Sequence, residues 1–164
     1  MKNLGLLLVL TPCVLATSSG HTDPPILGST AVSWEEIQAR PANGRSRQVF
    51  RAPTATLDEL ELHVTTLAVG DSPHAPHKHP DEEVIIIREG TVEATVNGQA
   101  RRLGPGSVIF QAANQMHSIR NAGDVPAVYH VIKWKTSLTT GALRRAPLNP
   151  ARYAGVNPAP RAAR

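Results

Sequence analysis

What the chain lacks narrows its reading first. One residue in 164 is cysteine, and it is Cys13, near the N-terminus, so the body of the chain has no disulfide and no thiolate chemistry to offer. Aromatic residues make up 4% of the sequence and no internal repeat is visible. A chain of this length buries one core but hardly two. No apolar run is long enough to span a bilayer. Acidic residues are absent from residues 136–164, where Arg144, Arg145, Arg152, Arg161 and Arg164 fall. That stretch also lacks the interleaved aromatics of a nucleic-acid reader, so no specific nucleic-acid partner is expected.

The charge of the chain is therefore uneven. Its formal net charge is +4, but with the tail and Lys2 set aside, eleven Lys or Arg face thirteen Asp or Glu. The basicity belongs to a Pro- and Ala-rich tail that reads as a solvated, disordered segment. At the other end, Lys2 precedes an apolar run over residues 4–10, followed by small residues at 14–18. This is the form of a secretory signal peptide, and Pro12 argues against a lipid anchor on Cys13. The expectation is an exported protein, periplasmic or extracellular, with no membrane span after processing. Four segments result: a signal peptide over 1–19, an arm with a short helix and strand over 20–57, a barrel over 58–135, and the tail over 136–164.

Between signal and tail the pattern is mostly strand. Ser33-Trp34-Glu35-Glu36 has the form of a helix capping box, and Arg40-Pro41 with Asn43-Gly44 ends that helix promptly. Short alternating runs follow at 47–52, 59–69, 83–89, 91–96, 99–103, 107–111, 117–120 and 127–135. Asn97-Gly98 is a hairpin signal and Glu89-Gly90 a second turn. Many short strands at regular spacing predict an all-β antiparallel barrel or jelly roll. If Glu83 faces inward, Ile85 and Ile87 share its side, while Val92, Ala94 and Val96 supply the inner face of the next strand.

The chemistry concentrates in His77-Lys78-His79, with Glu83 four residues later and His117 further on. Residues two apart on a strand share a face, so His77 and His79 would converge on one point while Lys78 turns away. Three imidazoles and a carboxylate suit one divalent Fe, Mn, Cu, Ni or Zn ion and leave open coordination positions. His74 is close by, and reads better as a loop-shaping neighbour than as a ligand.

These residues resemble the cupin superfamily, whose first motif is G-x5-H-x-H-x3,4-E-x6-G and whose second is G-x5-P-x-G-x2-H-x3-N. His77, His79, Glu83 and Gly90 fit the first, although six residues rather than five separate Gly70 from His77. In the second, Pro105 is followed directly by Gly106, and the stretch to His117 is longer than the pattern, but His117-x3-Asn121 is intact. The resemblance spans about residues 58–135 and implies a double-stranded β-helix that commonly forms homodimers through sheet contacts. It also implies His77, His79, Glu83 and His117 as ligands of one metal, with Glu83 free to detach as a catalytic base. Candidate pocket residues are His63, Phe110, Gln111 and His130, with Met116 as a further guess. The leading expectation is a dioxygenase-like oxidoreductase acting on a small organic metabolite. The alternatives are a non-redox lyase, isomerase or hydrolase, and a small-molecule binder without turnover.

Overall fold

The computed structural model describes residues 25–136; the expected signal peptide and, apart from Thr136, the basic tail lie outside them. One helix, α1 (Trp34–Ala39), precedes eight strands: β1 (Ser46–Ala52), β2 (Glu59–Leu67), β3 (Glu82–Glu89), β4 (Val92–Val96), β5 (Gln99–Leu103), β6 (Val108–Gln111), β7 (Ser118–Asn121) and β8 (Ala127–Lys135). They form a five-stranded sheet in the order β1-β2-β8-β3-β6 and a three-stranded sheet in the order β5-β4-β7. All six strand pairings are antiparallel. The expected all-β class with one short helix is the fold observed.

Period-two alternation decides what each sheet buries. Leu67, Ile85, Ile87, Ile109, Tyr129 and Val131 of the large sheet meet Val92, Ala94 and Ile119 of the small one in a single core. The opposite face of the large sheet receives α1. There Ile37 packs with Val49, Val64 and Val128, flanked by Val32, Trp34, Phe50 and Leu62. Ser33 caps the helix as its sequence predicts: its hydroxyl accepts from Glu36 N at 3.2 Å, and its own N–H donates to the Glu36 carboxylate at 2.6 Å. The guanidinium of Arg88 lies 3.3 Å from the ring centroid of Trp34, a cation–π contact that fixes the helix against β3. Arg40, at the other end of the helix, donates to the carbonyls of Gln48 and Val49. Those carbonyls belong to a bulge where the β1–β2 register shifts between Gln48 and Phe50. The extra residue turns Val49 toward the helix.

Strand boundaries shift by a residue or two from the sequence reading, with one consequential exception. His77 and His79 do not lie on a strand. Pro73, Pro76 and Pro80 interrupt the segment, and proline has no N–H to give a ladder. What remains is one isolated bridge between His77 and His117, closed by His77 N to His117 O at 3.1 Å and His117 N to His77 O at 3.0 Å. Asn114 N adds a bond to His79 O at 2.7 Å. His117 thus stands just ahead of β7 rather than on it.

Two turns depend on left-handed backbone. Asn97 and Gly98 have φ of 52° and 74°, the paired positive values of a type I′ hairpin between β4 and β5. Gly90, with φ of 74°, carries the chain from the large sheet to the small one, and a Cβ there would lie 2.6 Å from Pro126 O and 2.8 Å from Ala127 Cα. Gly90→Ala is therefore expected to cost about 3 kcal/mol of unfolding free energy, from strain and backbone collision together. Gly98→Ala meets no atom within 4 Å and should cost about 1 kcal/mol. Urea denaturation of the two variants beside the wild type checks the ranking.

Candidate metal centre

Three histidines arrive at one point from two segments that the His77–His117 bridge holds side by side. Ring centroids are 4.5 Å apart for His77 and His117, 4.9 Å for His79 and His117, and 5.3 Å for His77 and His79. One ligand nitrogen from each lies within 4.8 Å of the others. His79 Nδ1 lies 2.9 Å from Asp81 O and His117 Nδ1 lies 2.9 Å from Gln115 O. A carbonyl only accepts, so each Nδ1 carries a proton and each Nε2 is the nitrogen left to face the cluster. The Nε2 of His117 is buried with no hydrogen-bond partner, as is the Nδ1 of His77. Burial lowers the proton affinity of both rings, that of His77 to about 4 with help from the neighbouring His74 and His117. Converging imidazoles, two of them oriented by carbonyls and two with an orphaned buried nitrogen, fit a divalent transition metal.

Glu83, the expected fourth ligand, is the second residue of β3 and lies just outside that cluster, with its Oε2 3.6 Å from His79 Nε2. His74 stacks edge-on against His77 at 3.9 Å and bonds the carbonyl of Ala75 through Nδ1.

The histidines open onto a cavity of about 460 Å³, within the range that takes a small ligand. Of the candidate pocket residues, His63 and Gln111 line it. His130 and Phe110 do not, which corrects their assignment. On β8 the alternation sends Tyr129, Val131 and Lys133 inward, so His130 turns outward, 6.1 Å from the ring of Trp34. Phe110 is the outward neighbour of Gln111 on β6 and is 51% exposed. Met116 is likewise exposed.

Glu61, Lys133 and Tyr129 are residues the sequence reading missed. The signal was present in the 127–135 run, where counting by twos from Tyr129 reaches Lys133 on the inner side. Glu61, on the cavity's flank, accepts from His63 Nδ1 at 2.9 Å and pairs with Lys133 at 3.6 Å and Arg51 at 3.8 Å. The His63 hydrogen bond leads these effects, which outweigh burial and hold the Glu61 carboxyl at about 2 rather than 4.5. Tyr129, shielded from water, is pushed above its ordinary value despite a hydrogen bond with Thr65.

Fold and site together define a single antiparallel barrel with a histidine-lined mouth. Residues 63–133 match the family model described as a cupin domain. The barrel is similar to a Cupin 2 conserved barrel domain protein from Salinispora arenicola, at 18% identity and TM-score 0.53 over 73% of this chain and 100% of that one. It is also similar to a double-stranded β-helix protein from Klebsiella pneumoniae, at 22% identity and TM-score 0.52 over 67% and 93%. Among curated proteins, the tetracenomycin polyketide synthase protein TcmJ of Streptomyces glaucescens is 24% identical over 120 residues, 69% of this chain and 76% of that protein. The domain match over residues 63–133 and the shared fold make this barrel similar to cupin domains.

The Glu61 carboxyl carries a pH signature. The unfolded chain takes up its proton near pH 4.5 and the folded chain only near pH 2. Stability that is complete above pH 4.5 therefore declines as the pH falls through that window. Replacing Glu61 by Gln should flatten the decline, read as the urea midpoint followed from pH 5 to 2.

Proposed function

We propose that the protein is a mononuclear metal-dependent oxidoreductase, dioxygenase-like, acting on a small organic metabolite in the cavity beside the histidines. The observation that carries this reading is the convergence of three imidazoles at one mouth, with a buried nitrogen of His117 left unpartnered. In this reading His77, His79 and His117 hold the ion and Glu83 completes the set. A bound divalent ion supplies Lewis-acid polarisation and, if redox-active, electron exchange with dioxygen. The chain's own residues do the rest. Asp81 and Gln115 carbonyls hold two imidazoles in the ligating tautomer, and Ile85, Ile119 and Val131 give the cavity an apolar wall that strengthens electrostatic contacts inside it. Glu83, beside His79, is placed to take a substrate proton when it is not held by the metal. The similarity to a polyketide synthase protein is in keeping with an oxygen-rich substrate.

The reading extends to the protein's setting: an exported homodimer without a nucleic-acid partner. The outer face of β3 and β6 supports the dimer, since Ile86, Val108 and Phe110 stand exposed there and are of the kind that a sheet-to-sheet contact covers.

Elemental analysis of the purified protein should find close to one equivalent of Fe, Mn, Cu or Ni, lost in His77→Ala/His79→Ala and in His117→Ala and retained in His74→Ala. A chelator should lower the melting temperature of the wild type and leave the double variant unmoved, because a ligand bound to the folded state alone stabilises it. Oxygen uptake with catechols, flavonols or diketones would carry the dioxygenase reading; turnover under argon would replace it with a lyase or isomerase.

A further inference from the structure

One row of side chains runs across the inner face of the large sheet at the level of the metal centre. Arg51 of β1 is registered with Glu61 of β2, Glu61 with Lys133 of β8, Lys133 with Glu83 of β3, and Glu83 with Gln111 of β6. Charge alternates along the row and the series ends in a neutral amide. Direct cross-strand neighbours of opposite charge stabilise a sheet, so the first members explain themselves. The last does not. Gln111 is 3% exposed, and neither its Oε1 nor its Nε2 has a hydrogen-bond partner. Buried polar atoms are ordinarily hydrogen-bonded, and Gln111 lines the cavity, so its amide is free to meet a molecule held there.

We propose that Gln111 and Lys133, which flank Glu83 on its two sides, form an anion-binding subsite for a small α-hydroxy carboxylate. The subsite rests on the reading of the histidines as a metal centre for its neighbour, but draws on different atoms. The amide of Gln111 offers one donor and one acceptor side by side, and so matches a ligand that presents an anionic oxygen beside a hydroxyl. Lys133 lines the same cavity and brings the charge. Its ion pairs among the described residues, to Glu61 at 3.6 Å and Asp81 at 3.9 Å, are too long for hydrogen bonds, which leaves its ammonium protons for an incoming carboxylate. His63, held by Glu61 through Nδ1, borders the cavity on the β2 side. The subsite therefore selects for charge through Lys133 and for the hydroxyl through Gln111.

Calorimetric titration of the full chain, with and without Co(II), tests this with L-lactate, propionate and methyl lactate as probes. Co(II)-loaded wild type should bind lactate at least tenfold more tightly than either of the other two. Gln111→Met and Lys133→Met should each weaken lactate at least tenfold while still taking up one equivalent of Co(II). Lys133→Arg should stay within threefold of wild type. Gln111→Met replaces an unmet amide with an apolar chain of similar size, so its melting temperature should match or exceed that of wild type, and lost binding cannot then be ascribed to misfolding. Lactate binding that is absent in wild type, or unchanged in Gln111→Met, overturns the subsite. Failure of the wild type to bind Co(II), with lactate binding still dependent on Gln111 and Lys133, overturns the metal reading and leaves the subsite standing.

Discussion

Two backbone hydrogen bonds, exchanged between His77 and His117, are the constraint on which the candidate site depends. They are the sole ladder contact of a segment that three prolines otherwise keep out of the sheets, and they set its two histidines against the third. Each bond contributes only about 1 kcal/mol to stability. Their larger effect is positional: with the bonds from Asn121 N to Asp71 O and from Asn114 N to His79 O on either side, they set the register of the 72–81 segment against β7 and bring the imidazoles to a common point. The side chains then refine what the backbone begins. Asp81 and Gln115 carbonyls orient the His79 and His117 rings from two residues away, so each of these two is held by a chain neighbour through its ring and by the facing segment through its backbone.

The inner faces of the sheets grade from polar to apolar along the strands, and this gradient gives the barrel a mouth and a floor. Successive inward positions on β8 are Lys133, Val131, Tyr129 and Ala127; on β3 they are Glu83, Ile85 and Ile87; on β2 they are Glu61, His63, Thr65 and Leu67. Antiparallel register sets Lys133 between Glu61 and Glu83 near the mouth and Leu67 beside Ala127 at the floor, with His63 against Val131 and Thr65 against Tyr129 marking the transition. A hydrophobic floor of Leu67, Ile87, Val92 and Ala127, all essentially inaccessible, allows a charged row to exist a few residues away without water reaching through the barrel.

Much of this was legible in the residues, for reasons that also mark where legibility ended. The H-x-H, Glu83, Gly90 and His117-x3-Asn121 pattern marked the fold because each position meets a specific steric or chemical need. Gly90 crosses between sheets with no room for a Cβ, and the Asn121 amide bonds the carbonyls of Leu67 and Val125 while accepting from Gly123 N, so the asparagine secures the loop before β8. Alternation also placed Ile85, Ile87, Val92 and Ala94 inside. It misplaced His130 and Phe110 because a histidine or phenylalanine looks the same on either face of a strand; only the phase, set by Tyr129 and Gln111 beside them, decides. The H-x-H pair was read as strand because its spacing is that of a strand, and the prolines around it, which forbid the ladder, were the stronger signal.

The phase of β8 also explains why one residue type, a lysine, is tolerated on the inner face of a barrel. Lys133 sits between two carboxylates of neighbouring strands, Glu61 on β2 and Glu83 on β3, and a cation in that position offsets their mutual repulsion and their loss of hydration. The ion pairs of Lys133 are to Glu61 and Asp81, so they would persist if Glu83, its register neighbour, were taken up by a metal ion. The local balance then becomes more positive by the charge of the ion less whatever Glu83 neutralises. A mouth that was near neutrality becomes attractive to an anion, so the same row that stabilises the empty barrel would make it receptive to an acidic substrate when loaded.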